Sequence, residues 1–183
     1  MELSDEILVT EVLQGNTEAF AHIVDRYKVQ IYNLMYRYSH TTEGATDMTQ
    51  EVFCRAFERL NKYQQRSQFF SWLYTLALNY AKDWQKKKNN RRRKLAQFSA
   101  ETEKNESTSA HSLLEVDQEM DSLNEALATL PDDRREMVVL RYRHECSIKE
   151  LAEIFDLSES AVKMRLHRAL EDLRVKLKKT DYG

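Results

Sequence analysis

Apolar residues along this chain recur at three- and four-residue steps, and nowhere do they alternate with polar ones over the length of a strand. A first stripe of Ile7, Leu8, Val12 and Leu13 follows Ser4 and stops before Gly15, a residue suited to ending a helix. The second stripe is longer: Phe20, Ile23, Val24, Tyr27, Ile31, Leu34, Met35 and Tyr38, with Thr17 in the capping position. The pattern stops around His40 to Gly44. It then predicts a third helix from about Ala45 to Leu60 that buries Met48, Val52, Phe53, Ala56, Phe57 and Leu60. Its other face shows Asp47, Gln50, Glu51, Arg55, Glu58 and Arg59. After a polar stretch from Asn61 to Gln68, a fourth helix runs from Phe69 to about Arg93, apolar at its start and strongly basic after Lys82. Helical spacing returns near Leu113 with Val116, Met120, Leu123 and Leu127, ends at Leu130-Pro131, and resumes at Asp132-Asp133, two acids well placed for a helix dipole.

The most informative stretch is the last. Ser147-Ile148-Lys149-Glu150 has the form of a capping box, and it opens a short run carrying Leu151, Ala152, Ile154 and Phe155 on one face. Asp156-Leu157-Ser158 breaks that run. Asp156 tolerates the backbone angles of a sharp corner, and Ser158 can cap a second helix facing inward with Val162, Leu166, Ala169, Leu170 and Leu173. Outward, that helix offers Lys163, Met164, Arg165, His167 and Arg168. Two short helices with a tight turn, the second basic, make a helix-turn-helix able to enter a DNA major groove. A plain helical hairpin with a solvated basic face is the other reading of this stretch alone.

Composition supports an all-α fold. Three glycines and one proline in 183 residues leave little material for turns, so the connections are short. No apolar run reaches the roughly 18 to 20 residues that cross a bilayer, and the acidic start Met1-Glu2-Leu3-Ser4-Asp5-Glu6 does not resemble a signal peptide. A cytoplasmic location is expected. Cys54 and Cys146 stand apart, with no metal-ligand spacing around them; Cys54, inside an apolar pattern, is expected to be a small core residue.

The net charge of −2 conceals segregation. Residues 82–94 hold eight basic side chains and one acid, and residues 163–179 hold seven basic and two acidic. Between them, residues 99–121 hold one basic and seven acidic. Two positive patches separated by a negative connector imply two places that meet a polyanion. Residues 99–112 lack a periodic apolar face and are expected to form a flexible linker between domains 1–98 and 113–183.

Two features of the N-terminal half suit unpaired bases. Tyr63 and Arg66 sit among amides in the polar loop, which could stack a base or could equally be a solvated turn. Asn79 lies mid-helix, where asparagine has no propensity reason to be and where an amide can read a base edge. Trp72 reads more simply as core. Catalysis finds little support: the five histidines are scattered, and neither a glycine-rich phosphate loop nor a metal-spaced carboxylate set is present. No cofactor or metal is expected.

Asp47-x-x-Gln50-Glu51-x-Phe53, then Phe70-Ser71-Trp72-Leu73-x-x-x-Ala77-x-Asn79-x-x-x-Asp83 and a basic tail, resembles region two of the extracytoplasmic-function group of bacterial sigma factors. Leu130-Pro131, Val138-Val139-Leu140-Arg141-Tyr142, Ser147-Ile148-x-Glu150-Leu151-Ala152 and Ser160-Ala161-Val162-Lys163-x-Arg165-Leu166-His167-Arg168-Ala169 resemble their region four. The resemblance implies two helical domains and a dissociable subunit that directs core RNA polymerase to promoters. It implies a polymerase-binding face of Asp47, Gln50, Glu51 and Arg55 against the clamp of the largest subunit. It places Tyr63, Arg66, Asn79, Lys82, Lys86 and Arg91 at the minus-ten element, and Lys163, Met164, Arg165, His167 and Arg168 at the minus-thirty-five duplex. Met164 stands where the family commonly has a small polar residue, and methionine makes no bidentate base contact. An anti-sigma factor, often membrane-bound, is a further implied partner. A helix-turn-helix repressor or activator that binds duplex DNA by itself is the rival; it leaves the basic tail after Asn79 without a purpose.

Overall fold

The computed structural model describes residues 3–64, 68–98, 123 and 125–180. The chain divides into two compact units, Met1–His111 and Ser112–Gly183. Among the described residues every regular element is helical.

In the first unit α1 spans Asp5–Leu13, α2 Ala19–Ser39, α3 Thr42–Glu58 and α4 Phe69–Phe98, with a 3-10 turn at Leu60–Lys62. The long helix α2 packs against each of the other three and supplies Ile23, Ile31, Leu34 and Met35, all fully buried. Helix α1 buries Leu8, Val9 and Val12, while Ile7 and Leu13, expected on the inward stripe, face solvent. It is pinned to α2 by polar contacts: Asp5 takes an ion pair from Arg26 and a hydrogen bond from the Tyr27 hydroxyl, and Arg26 also donates to the Leu3 carbonyl at 2.6 Å. Burial, and then the Asp5 carboxylate, hold the Tyr27 phenol protonated far above its ordinary range. Gly15, at φ +104°, makes the turn out of α1. Thr17 does not cap α2; it serves through its backbone carbonyl, which accepts from Phe20 N, and Glu18 holds the N-cap position.

The break before α3 is tighter than the sequence pattern suggests. His40 takes a left-handed conformation and Thr41 caps α3, its hydroxyl accepting from Gly44 N at 3.1 Å, so the helix starts at Thr42. Gly44 is therefore helical, and a Cβ there would lie 2.8 Å from Thr41 Oγ1 and 2.9 Å from Ser39 Cβ. Helix α3 buries Met48, Val52, Phe53 and Ala56 as expected. Two of its residues fall on the other side of the boundary. Phe57 is exposed, though its ring meets Phe20 edge to face at 5.1 Å, and Cys54 is exposed, contrary to its expected place in the core.

The second unit holds helical residues 125–128, then α5 (Asp132–Arg143), α6 (Ile148–Phe155) and α7 (Glu159–Thr180). Helix α7 packs on both α5 and α6 through Val162, Leu166, Ala169 and Leu173; Leu170, placed inward by the pattern, is exposed. Between α5 and α6 the chain is tied at Cys146, whose N–H donates to Leu140 O at 3.0 Å and whose carbonyl accepts from Arg141 at 2.8 Å. Cys146 is buried, and desolvation, followed by the Glu150 carboxylate, pushes its thiol up to about 11. The linker 99–112, Arg66, and Leu113, Val116 and Met120 all lie outside the described residues.

Candidate nucleic-acid interface

The second unit builds its surface from local signals. Ser147 and Glu150 form the reciprocal capping box: Glu150 N donates to Ser147 Oγ at 3.2 Å, and Ser147 N donates to Glu150 Oε2 at 2.7 Å. Asp156 turns the chain in a left-handed conformation, φ 51° and ψ 55°, and Leu157 N closes the corner onto Ala152 O. Ser158 then caps α7, accepting from Ala161 N at 3.2 Å. With Val162, Leu166 and Ala169 committed inward, the turn of the helix leaves Lys163, Met164, His167 and Arg168 together on the exposed side. Met164 is 54% exposed, a large apolar side chain held in water at the centre of a basic face. Arg165 is half-buried at the edge of that face. His167 Nδ1 lies 3.5 Å from Glu171 Oε2, one turn further along.

The first unit builds its surface by packing α3 against α4. A cleft of about 300 Å³ opens between them, lined by Arg55, Arg59 and Lys62 from one side and by Trp72, Thr75, Asn79, Tyr80 and Asp83 from the other. Asn79 is exposed and lines this cleft. Its neighbours combine flat rings, cations and a carboxylate, a set able to stack a base and pair with its edge and phosphate. Beyond the cleft, Lys82 is half-buried, while Lys86 and Arg91 are exposed along the basic part of α4. Lys88 lies over the Trp84 ring at 4.7 Å.

Tyr63, which the resemblance implies at the minus-ten element, is only 8% exposed. The 3-10 turn at Leu60–Lys62 folds it inward, where its ring meets Phe69 at 5.3 Å and Trp72 at 5.5 Å. In this structure it supports the cleft wall from behind. Arg66 falls outside the described residues.

The set that the resemblance implies for polymerase is also divided. Asp47 and Gln50 are exposed on α3. Glu51 and Arg55 are engaged with each other, Arg55 Nε to Glu51 Oε1 at 2.7 Å, and the Arg55 guanidinium lies 4.6 Å from the centre of the Tyr80 ring on α4. Glu51 and Asp47 line a second hollow of about 480 Å³ with Glu43, Tyr80 and Trp84. Burial, and then the Glu51 carboxylate, raise the Tyr80 phenol above its ordinary value. Tyr80, Trp72 and Arg59 line the cleft although the sequence pattern gives Tyr80 no role, Trp72 a place in the core and Arg59 a place on the surface. The spacing of 72, 75, 76, 79, 80 and 83 marks one face of α4 and was the available signal.

A helix-turn-helix with a basic outer face in one unit, and a cation- and ring-lined cleft beside a basic helix in the other, are the features of a protein built to meet nucleic acid at two surfaces. The comparisons with known proteins agree with that class. Residues 23–92 match the model for Sigma-70 region 2, and residues 120–173 match that for Sigma-70, region 4. The ECF RNA polymerase sigma factor SigW of Bacillus subtilis is 31% identical over 189 residues, covering 97% of this chain and 99% of that one. The ECF RNA polymerase sigma-E factor of Haemophilus influenzae is 31% identical over 185 residues, with 96% of each chain covered. A solved structure, the sigma factor RpoE of Bartonella quintana in complex with the anti-sigma factor NepR, shares the fold with a TM-score of 0.69 at 21% identity, covering 87% of this chain and 96% of that one. The chain belongs to the ECF sigma factors of the sigma-70 family and is an RNA polymerase sigma factor. Its helix-turn-helix is thus part of a transcription initiation factor and does not mark a free-standing repressor or activator.

Proposed function

We propose that the two units, residues 1–98 and 113–183 joined by 99–112, read a promoter in two different states of DNA. The Lys163, Met164, His167 and Arg168 face, with Arg165 at its edge, meets the minus-thirty-five duplex in the major groove. The cleft holding Asn79 takes a base from the opened minus-ten strand, and Lys82, Lys86 and Arg91 hold the neighbouring phosphates. The observation that carries this reading is the placement of the mid-helix Asn79 in a cleft with Trp72, Tyr80 and three cations. Strand separation without ATP requires binding energy present only in the open form, and a base pocket supplies that difference. The chain is then not an enzyme; it lends polymerase its promoter choice.

Asp47, Gln50 and Glu51 dock on the clamp of core polymerase. An anti-sigma factor covers these surfaces when the protein is idle, as the complex of the Bartonella relative supports. A cytoplasmic setting fits both partners, and among the described residues no helix is long and apolar enough to cross a membrane.

The test is transcription in vitro with bacterial core polymerase and a pool of randomised promoters. The expected result is run-off transcripts that depend on the chain and enrich two spaced sequence blocks. Transcription that selects one block only, or none, contradicts the reading.

A further inference from the structure

We propose that Arg55 is a positioning residue of the strand-capture cleft and not a polymerase contact. In this arrangement Glu51, Arg55 and Tyr80 form the wall through which docking on α3 reaches the cleft; the inference rests on the cleft taking an unpaired base.

The geometry is specific. Arg55 is tied at Nε to Glu51 one turn back on α3, and its guanidinium lies on the face of Tyr80 from the neighbouring helix α4. Tyr80 follows Asn79 in the chain, and both line the cleft together with Arg55. Tyr80 and Glu51 also line the acidic hollow on the other side, with Asp47. One ring therefore separates the hollow bearing the docking carboxylates from the cleft bearing the base-reading amide. A carboxylate accepts at both oxygens, so Glu51 can hold Arg55 through Oε1 while receiving a donor from polymerase. Fixing Glu51 fixes the guanidinium, and the guanidinium fixes the ring that bounds the cleft beside Asn79. Lysine keeps the charge but has no planar group that can donate to Glu51 from Nε while its far end lies over the ring, so it cannot hold both contacts at once. Both members of the ion pair are partly exposed, at 36% and 45% of their side chains. The pair alone is therefore weak in free protein and gains when a partner excludes water from it.

The experiment uses the full chain with core polymerase and reads two quantities. The first is core affinity, by titration of labelled chain. The second, at saturating core, is binding of a duplex carrying a short randomised unpaired bubble. Arg55→Ala and Tyr80→Leu are expected to leave core affinity within about twofold and to lower bubble binding about five- to tenfold. Tyr80→Phe, which keeps the ring face, is expected to bind as the wild type does. The double variant Arg55→Ala/Tyr80→Leu is expected to be no worse than either single one, because both remove the same contact. Should Arg55→Ala lower the melting temperature, Arg55→Lys serves in its place, with the same direction expected. A tenfold loss of core affinity with unchanged bubble binding at saturation overturns the proposal, as do effects that multiply in the double variant. If the wild-type holoenzyme prefers the bubble no more than matched duplex, the capture reading itself fails and takes this proposal with it. Failure confined to the variants removes the proposal alone.

Discussion

On α7 the outward residues depend on signals within one short stretch: a reciprocal cap at Ser147 and Glu150, a left-handed corner at Asp156, and a second cap at Ser158. The cleft around Asn79 is made differently. Its walls come from the end of α3, the 3-10 turn and the middle of α4, and they are backed by Tyr63, Phe69 and Trp72 packed on one another. A rigid exposed face suits duplex DNA, which brings its own shape and offers base edges in an open groove. An unpaired base has to be enclosed, and enclosure needs walls from more than one element. On the proposed function, the contrast between the two surfaces matches the state of the DNA each would meet.

The largest effect is expected where enclosure is tested. Asn79→Ala removes an amide able to pair with a base edge, which costs about 1–3 kcal/mol, or about five- to 150-fold, in open-complex formation. Closed-complex binding should stay nearly unchanged, and footprinting with permanganate on the opened strand distinguishes the two. Equal loss in both complexes would erase the difference between the cleft and α7.

The next is Ser147→Ala. Removing the cap leaves the first turn of α6 with an unsatisfied donor and costs about 1 kcal/mol. For a unit of this size that lowers the melting temperature by about 4–8 °C, readable by calorimetry, with duplex recognition falling only as folding does. Loss of binding without loss of stability would show that α7 depends on more than local caps.

Arg168→Ala is smaller still. Loss of one phosphate contact lowers the slope of log affinity against log salt by about one. If discrimination between intact and scrambled minus-thirty-five sequence falls instead while the slope holds, Arg168 reads a base.

The two cysteines sharpen the comparison with the least perturbation. A thiol reagent at pH 8 should modify Cys54 promptly and Cys146 only on unfolding. Because burial raises the Cys146 pKa, the folded unit holds that proton more tightly than the unfolded chain. Its contribution to stability is complete below the ordinary value of 9.0 and is lost as pH rises toward about 11. A second unit whose stability rises over that interval would contradict the burial of Cys146.

The two surfaces were also unequally legible in the sequence. The cap, the corner and the second cap near Ser147, Asp156 and Ser158 are each stated by neighbours within four residues, and all three form as expected. Residues at the border of an apolar stripe were harder. Cys54 follows buried Phe53, and a step of 100° carries it from core to solvent; Leu170 follows buried Ala169 in the same way. Tyr63 is expected in a polar loop because its neighbours are polar, but directly after the 3-10 turn at Leu60–Lys62 it is buried against Phe69 and Trp72. Arg55 is expected on the polymerase-binding face, and nothing local says that Tyr80, 25 positions on, lies across from it. Local chemistry is written in local spacing. Contacts between helices are not.

In the proposed function neither surface suffices alone, and polymerase makes them act together. One measurement meets it directly: the affinity of the full chain for a single selected promoter duplex at 0.15 M salt as an order-of-magnitude physiological condition, roughly a Debye length of 8 Å, with and without core polymerase. Weak, salt-sensitive binding alone and tight binding with core is the predicted result. Equally tight, sequence-specific binding by the chain alone would contradict it.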